Sequence, residues 1–127
     1  PIVYYGSEWG IRGDKKDGDP GLRVAGDEPR WNDLTDKIAT MAKAFRENKA
    51  LQYGDFSVPL LENKHCIFER RWGDERMLIA INEEDCDYTA HMDFGAGRAH
   101  ELLSQTDVDF GGGLLLPPNS VMFLQPF

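Results

Sequence analysis

The residues with chemical potential crowd into one glycine-rich stretch, positions 6–31. It holds Glu8, Trp9, Asp14, Asp17, Asp19 and Arg23 among six glycines and two prolines. Asp19 and Arg23, four positions apart, are the leading pair. A carboxylate and a guanidinium can hydrogen-bond vicinal hydroxyls of a ligand, and they can equally hold each other in a loop ion pair. Trp9 can stack on the apolar face of a ring or pack the loop against its own domain. Glu8 stands just past an apolar run, where a general acid could stand, but no second carboxylate is demonstrably in range of it, which argues against catalysis. The run DKKDGD (14–19) departs from the alternating acidic pattern of a calcium loop and lacks its downstream Glu, so it reads as solvated and no metal is expected.

The other chemistry-bearing residues are dispersed. Cys66 and Cys86 match no zinc spacing, and His65, His91 and His100 do not complete one. Two free thiols in a reducing compartment, and hence a cytoplasmic location, are the expectation. EEDCD (83–87) reads as a solvated turn. GAGR (95–98) and GGG (111–113) do not lead from a strand into a helix, so they are loops and not phosphate cradles. No cofactor is expected.

The elements that position the loop are legible from periodicity. IVYY (2–5) is an unbroken apolar run, as in a strand buried on both faces. Residues 33–48 place Leu34, Ile38, Met41 and Phe45 on one stripe of an amphipathic helix, with Asn32 or Asp33 available to cap it. Beyond Gly54 the period shortens. Strands are expected at 56–62, 65–72, 77–82, 87–93, 100–103, 114–117 and 121–125, with a hairpin turn at Gly73-Asp74. MLIAI and VMFL are apolar on both faces and should be central. Pro59 should sit on an edge strand or at a bulge. The fold expected is mainly β: an antiparallel sandwich (50–127) preceded by one strand, a long loop and one helix (1–49).

Bulk properties bound the function. The 127 residues carry a net charge of −8. Residues 1–49 are balanced and the whole excess of acid lies in 50–127. Such a surface repels phosphate backbones, so nucleic acid is an unsuitable partner. No apolar run reaches the roughly 18–20 residues of a membrane helix, and no membrane association is expected.

A lone parallel-type strand followed by a helix is half of a βαβ unit and needs neighbours. That anomaly and a series of motifs lead to one family. PIVYYGSEWGIRG (1–13) resembles the P-x-x-Y-Y-G-x-E segment of the eighth barrel strand and its loop in the alpha-amylase family of glycoside hydrolases. DPGLR (19–23) is similar to the D-P-x-x-R stretch of that loop. The helix over 34–48 resembles the eighth barrel helix, and ALQYGDF (50–56) the A-L-x-x-G-x-Y/F link. FERRWGDERMLIAIN (68–82) and LPPNSVMFL (116–124) resemble the antiparallel domain that closes these enzymes. YYGSEWGIRG leans towards the cyclomaltodextrinase, neopullulanase and maltogenic amylase branch.

The resemblance implies retaining hydrolysis of α-glucosidic bonds in maltodextrins or cyclodextrins by carboxylates that follow the fourth, fifth and seventh barrel strands. None of them maps onto these 127 residues, so the chain alone is expected to be inactive and to hold no catalytic residue. It also implies that Asp19 and Arg23, with Trp9 beside them, meet the sugar in the whole enzyme. The expected partners are an α-glucan oligosaccharide and the rest of the catalytic barrel, with self-association open where IVYY and the helix stripe lack cover. The rival reading is a free-standing carbohydrate-binding or assembly β-sandwich, which requires exposed aromatics on one strand face; Phe68 and Trp72 share a face, but Tyr53, Phe56 and Trp72 could equally form the seam with the helix.

Overall fold

The computed structural model describes residues 2–26 and 28–127. The chain forms two compact units, Pro1–Lys43 and Ala44–Phe127.

In the first unit, two 3-10 turns, Ser7–Trp9 and Lys15–Asp17, and a short helix α1 (Gly18–Leu22) precede the long helix α2 (Asp33–Glu47), which runs on into the second unit. Asn32 caps α2, accepting from the backbone N–H of Leu34 (2.9 Å) and Thr35 (3.3 Å), and Thr35 Oγ1 accepts from the Asn32 N–H in return (3.1 Å). This is a capping box with Thr in the place usually held by Glu. Ile38 and Met41 are half-buried and Leu34 is exposed, so the apolar stripe is present but incompletely covered.

The strand expected at 2–5 does not form. Residues 2–4 carry no regular structure, and the Tyr4 carbonyl accepts from Ser7 N–H (3.1 Å) as the chain turns. A strand exists only through a neighbour that takes its backbone groups. Among the described residues nothing pairs with this run, and Ile2 is 98% exposed.

The second unit holds helix α3 (Lys49–Tyr53) and eight strands: β1 (Asp55–Leu61), β2 (His65–Trp72), β3 (Glu75–Asn82), β4 (Tyr88–Ala90), β5 (Arg98–Glu101), β6 (Thr106–Asp109), β7 (Leu114–Leu116) and β8 (Ser120–Pro126). Six pair in the order β1-β2-β3-β8-β5-β6, and β4 pairs with β7, every ladder being antiparallel. β3 and β8 are central, as their two-faced apolar sequences require. β1 is an edge strand whose register slips between Ser57 and Leu60, so Pro59 lies both on an edge and at a bulge. Gly73, with φ of 57°, opens the two-residue β2–β3 hairpin loop in the left-handed region that such loops need.

Alternation along β3 divides the core. Leu78 and Ala80 face Ile67, Leu124 and the small sheet's Ala90, Leu114 and Leu116, with Phe94 against Phe110 closing one end. Met77 and Ile79 face the other way, against Ala50 and Leu51 of α3 and Ala44 and Phe45 from the last turn of α2. The strand missed in the sequence is β6, TDVD. Its two aspartates are poor strand formers, and it holds an edge position beside β5.

One buried carboxylate holds this architecture together. Glu101, 3% exposed, accepts from the backbone N–H groups of Leu103 (3.1 Å), Ser104 (2.5 Å) and Phe123 (2.9 Å), locking the β5–β6 turn to β8. Burial alone would raise its pKa, but the bonds from Ser104, Phe123 and Leu103 outweigh it and hold the carboxyl below the ordinary range. A depressed folded-state pKa gives stability that is full above the unfolded value and vanishes as pH falls through the folded one. Glu101→Gln is therefore expected to cost about 2 kcal/mol at pH 7, and the gap from wild type should close in acid. Urea unfolding at pH 7 and near pH 3 measures both, and a gap independent of pH would refute the assignment.

Candidate functional site

The candidate site is the loop of the first unit. Its shape follows from glycines and short-range capping. Gly6 (φ 81°) and Gly10 (φ 67°) bracket the Ser7–Trp9 turn, and a Cβ on Gly6 would stand 2.8 Å from Ile11 Cδ1. Asp14 accepts from Lys16 N–H (2.9 Å) and starts the next turn. Tyr5 Oη reaches the Val24 carbonyl at 3.4 Å, linking the two ends of the loop.

Asp19 lies in α1 and Arg23 is its C-cap, one turn on. The Arg23 N–H donates to the carbonyls of Asp19 and Pro20, both at 3.2 Å. Both side chains are exposed, and among the described residues neither is drawn into an ion pair. The backbone therefore sets their spacing, and among the described residues their charges meet no partner. Trp9 is half-buried, its ring 6.3 Å from that of Trp31 and tilted by 59°. Glu8 is half-buried, and its backbone carbonyl accepts from Thr35 Oγ1 at 2.5 Å.

Thr35 and Trp31 are the residues that sequence reading missed. Thr35, 5% exposed, joins the loop to the cap of α2 through one hydroxyl. Trp31 Nε1 donates to Asp36 Oδ1 (2.7 Å), which fixes the ring that Trp9 packs against. The N-x-x-T spacing was a usable signal for the capping role. Nothing local marked the bond to Glu8, 27 residues away.

The second unit's polar clusters are structural. His65 is buried and stacked on Tyr88 (3.6 Å between ring centroids, 12° apart), with Nδ1 3.2 Å from Glu62 and Nε2 3.5 Å from Glu84. Burial, helped by Glu62, pushes the Tyr88 phenol up. Cys86 is exposed, and the bond to Glu84 (3.6 Å) with the surrounding acids raises its thiol, the opposite of an activated nucleophile. Both cysteines are free. Among the described residues no helix is long and apolar enough to cross a membrane.

With the geometry in place, comparison with known proteins is informative. No family model matches the chain. Across 98% of its length it is 25% identical to a cyclomaltodextrinase of Thermoanaerobacter pseudethanolicus, of which it covers 22%. The resemblance to the alpha-amylase family stands. The fold agrees: the chain superposes along its whole length on an Anoxybacillus alpha-amylase with a TM-score of 0.83 at 24% identity, covering 29% of it. It also superposes along its whole length on cyclic alpha-maltosyl-(1→6)-maltose hydrolase of Arthrobacter globiformis, with a TM-score of 0.74 at 27% identity, covering 27% of that enzyme. The chain thus spans less than a third of each alpha-amylase-family relative, as a C-terminal piece of such an enzyme would.

Proposed function

We propose that these residues form the C-terminal part of a glycoside hydrolase that cleaves α-glucosidic bonds in maltodextrins or cyclodextrins. The carrying observation is a match that covers 98% of this chain and 22% of a cyclomaltodextrinase. The β-rich unit closes and stabilises a catalytic barrel, as its self-contained core supports. The loop contributes to sugar binding. Asp19 and Arg23 hydrogen-bond vicinal hydroxyls of one glucose unit, a role suited to exposed side chains spaced by one helical turn that, among the described residues, form no ion pair. Trp9 lines the same loop and owes its place to Trp31. Retaining hydrolysis needs two carboxyl groups about 5 Å apart across the scissile bond, supplied by residues outside this stretch, so these 127 residues alone are inactive.

The test is hydrolysis of β-cyclodextrin and maltotriose by the full-length gene product and by the 127-residue chain. Glucose and maltose should appear with the first and not with the second. Release by the short chain, or the absence of any α-glucan cleavage by the full-length protein, would overturn the reading.

A further inference from the structure

The β-rich unit leaves a cluster of aromatic rings uncovered. Tyr53 at the end of α3 is 63% exposed, Phe56 in β1 63% and Trp72 in β2 49%. Tyr53 and Trp72 stand 5.8 Å apart with their rings tilted by 54°, and Phe56 rests on Phe68 at 5.5 Å. Alternation along β2 puts Phe68, Arg70 and Trp72 on one face, and Phe56 is the register partner of Arg70. Arg70 thus sits beside Phe56 across the ladder and between Phe68 and Trp72 along the same face of β2. Arg70 Nε donates to the Gly54 carbonyl (3.1 Å), which pins the side chain, while among the described residues its terminal nitrogens enter no ion pair.

We propose that Tyr53, Phe56, Arg70 and Trp72 form a surface site for an α-1,4-glucan chain. This rests on the reading that the enzyme acts on α-glucans. Three features select a sugar over an apolar protein face. Tyr and Trp present apolar rings with polar tips, matching the two-sided chemistry of a pyranose. Successive glucose units of an α-1,4 chain are inclined to one another, and two rings at 54° offer a bent platform that a flat sheet surface does not. A pinned guanidinium without a carboxylate would be costly to bury against apolar side chains, whereas sugar hydroxyls accept its hydrogen bonds. A neutral ligand is also indifferent to the acidic surface of this unit.

The experiment is affinity electrophoresis of the full-length protein through gels containing amylopectin, with maltotriose hydrolysis and Tm as companions. The double variant Tyr53→Ala/Trp72→Ala should bind amylopectin about tenfold more weakly, while maltotriose turnover and Tm stay at wild-type values. Trp72→Phe should keep most of the binding. Unchanged retardation of the folded double variant overturns the proposal. So does a joint fall in Tm and maltotriose turnover, which would show the rings covered by the rest of the protein. Where the double variant does not fold, hydroxyl-radical footprinting of the wild type decides: maltoheptaose should protect Tyr53 and Trp72, and no protection refutes the site. Absence of all maltotriose cleavage would instead refute the hydrolase reading, and the footprint is read independently of it.

Discussion

Replacing Asn82 by alanine is expected to destabilise the β-rich unit by about 3–5 kcal/mol, the largest single effect in this chain. Asn82 ends β3 and is 1% exposed. Its Nδ2 lies 2.9 Å from the Cys86 carbonyl, 3.1 Å from Leu116 and 2.9 Å from Pro117, so three acceptors share two protons. Its Oδ1 accepts from Glu84 N–H at 2.8 Å. One side chain thus satisfies the 82–87 turn and the exit of β7 and ties the two sheets at that end. Alanine would strand all four groups, each costing about 1–3 kcal/mol where water cannot replace the lost partner. Asn82→Asp separates this account from simple cavity formation. It preserves the shape, but an ionised carboxylate has no proton to donate and would face three carbonyls. It should therefore be at least as damaging as alanine at pH 7, and it should recover part of the loss on acidification, when the carboxyl can donate once. Urea or thermal unfolding of both variants between pH 4 and 7 measures this, and an aspartate variant close to wild type at pH 7 would refute the network.

Asn82 also shows where sequence reading stops. The expectation that MLIAI is a central strand held, because burial on both faces is written in its composition, and β3 indeed lies third of six in its sheet. Asn82 follows that run directly, and nothing in the sequence distinguishes it from an ordinary strand-ending residue. Its three acceptors lie at positions 86, 116 and 117, two of them on a segment that only tertiary folding brings near. Glu101 is the same case. An acid in RAHE looks solvent-facing, and its worth comes from the N–H of Phe123, 22 residues away. Local periodicity reports what a residue buries, not which distant backbone groups it satisfies.

The strand expected at residues 2–5 failed for a related reason. IVYY has the propensity for a buried strand, and propensity without a neighbouring strand leaves the backbone groups without ladder partners. The motif was legible, and it led to the family. The conformation was not, since a strand needs a pairing neighbour and among the described residues none pairs with this run. β6 failed in the opposite sense: TDVD has little strand propensity, and pairing with β5 imposes the conformation, with Asp107 3.0 Å from His100 and 3.5 Å from Arg98. In the loop, the residue types of the candidate pair were legible, while Thr35, which fixes the loop to α2, was not.

If the proposed reading holds, Asp19→Ala in the full-length protein is expected to lower kcat/KM on maltodextrins about 100-fold with no change in Tm. The separation of the two readouts follows from the geometry. Asp19 is exposed, its side chain makes no bond among the described residues, and α1 is shaped by its backbone, including the Arg23 N–H on the Asp19 carbonyl, which alanine retains. Removal of the carboxylate therefore subtracts nothing from folding and, on the proposed reading, one interaction with substrate. Arg23→Lys should cost a comparable factor, because an ammonium cannot reproduce a planar fork aimed at two hydroxyls. If the two side chains grip one glucose as a unit, the double variant will fall short of the product of the single losses, as coupled residues do. If they act on different groups, the losses will multiply. A change in kcat/KM below about twofold for both single variants, with the variants folded, would leave the pair as surface charge and remove the loop from the site. On the proposed reading the first outcome is expected, because Asp19 and Arg23 stand one turn apart and, among the described residues, form no ion pair with each other.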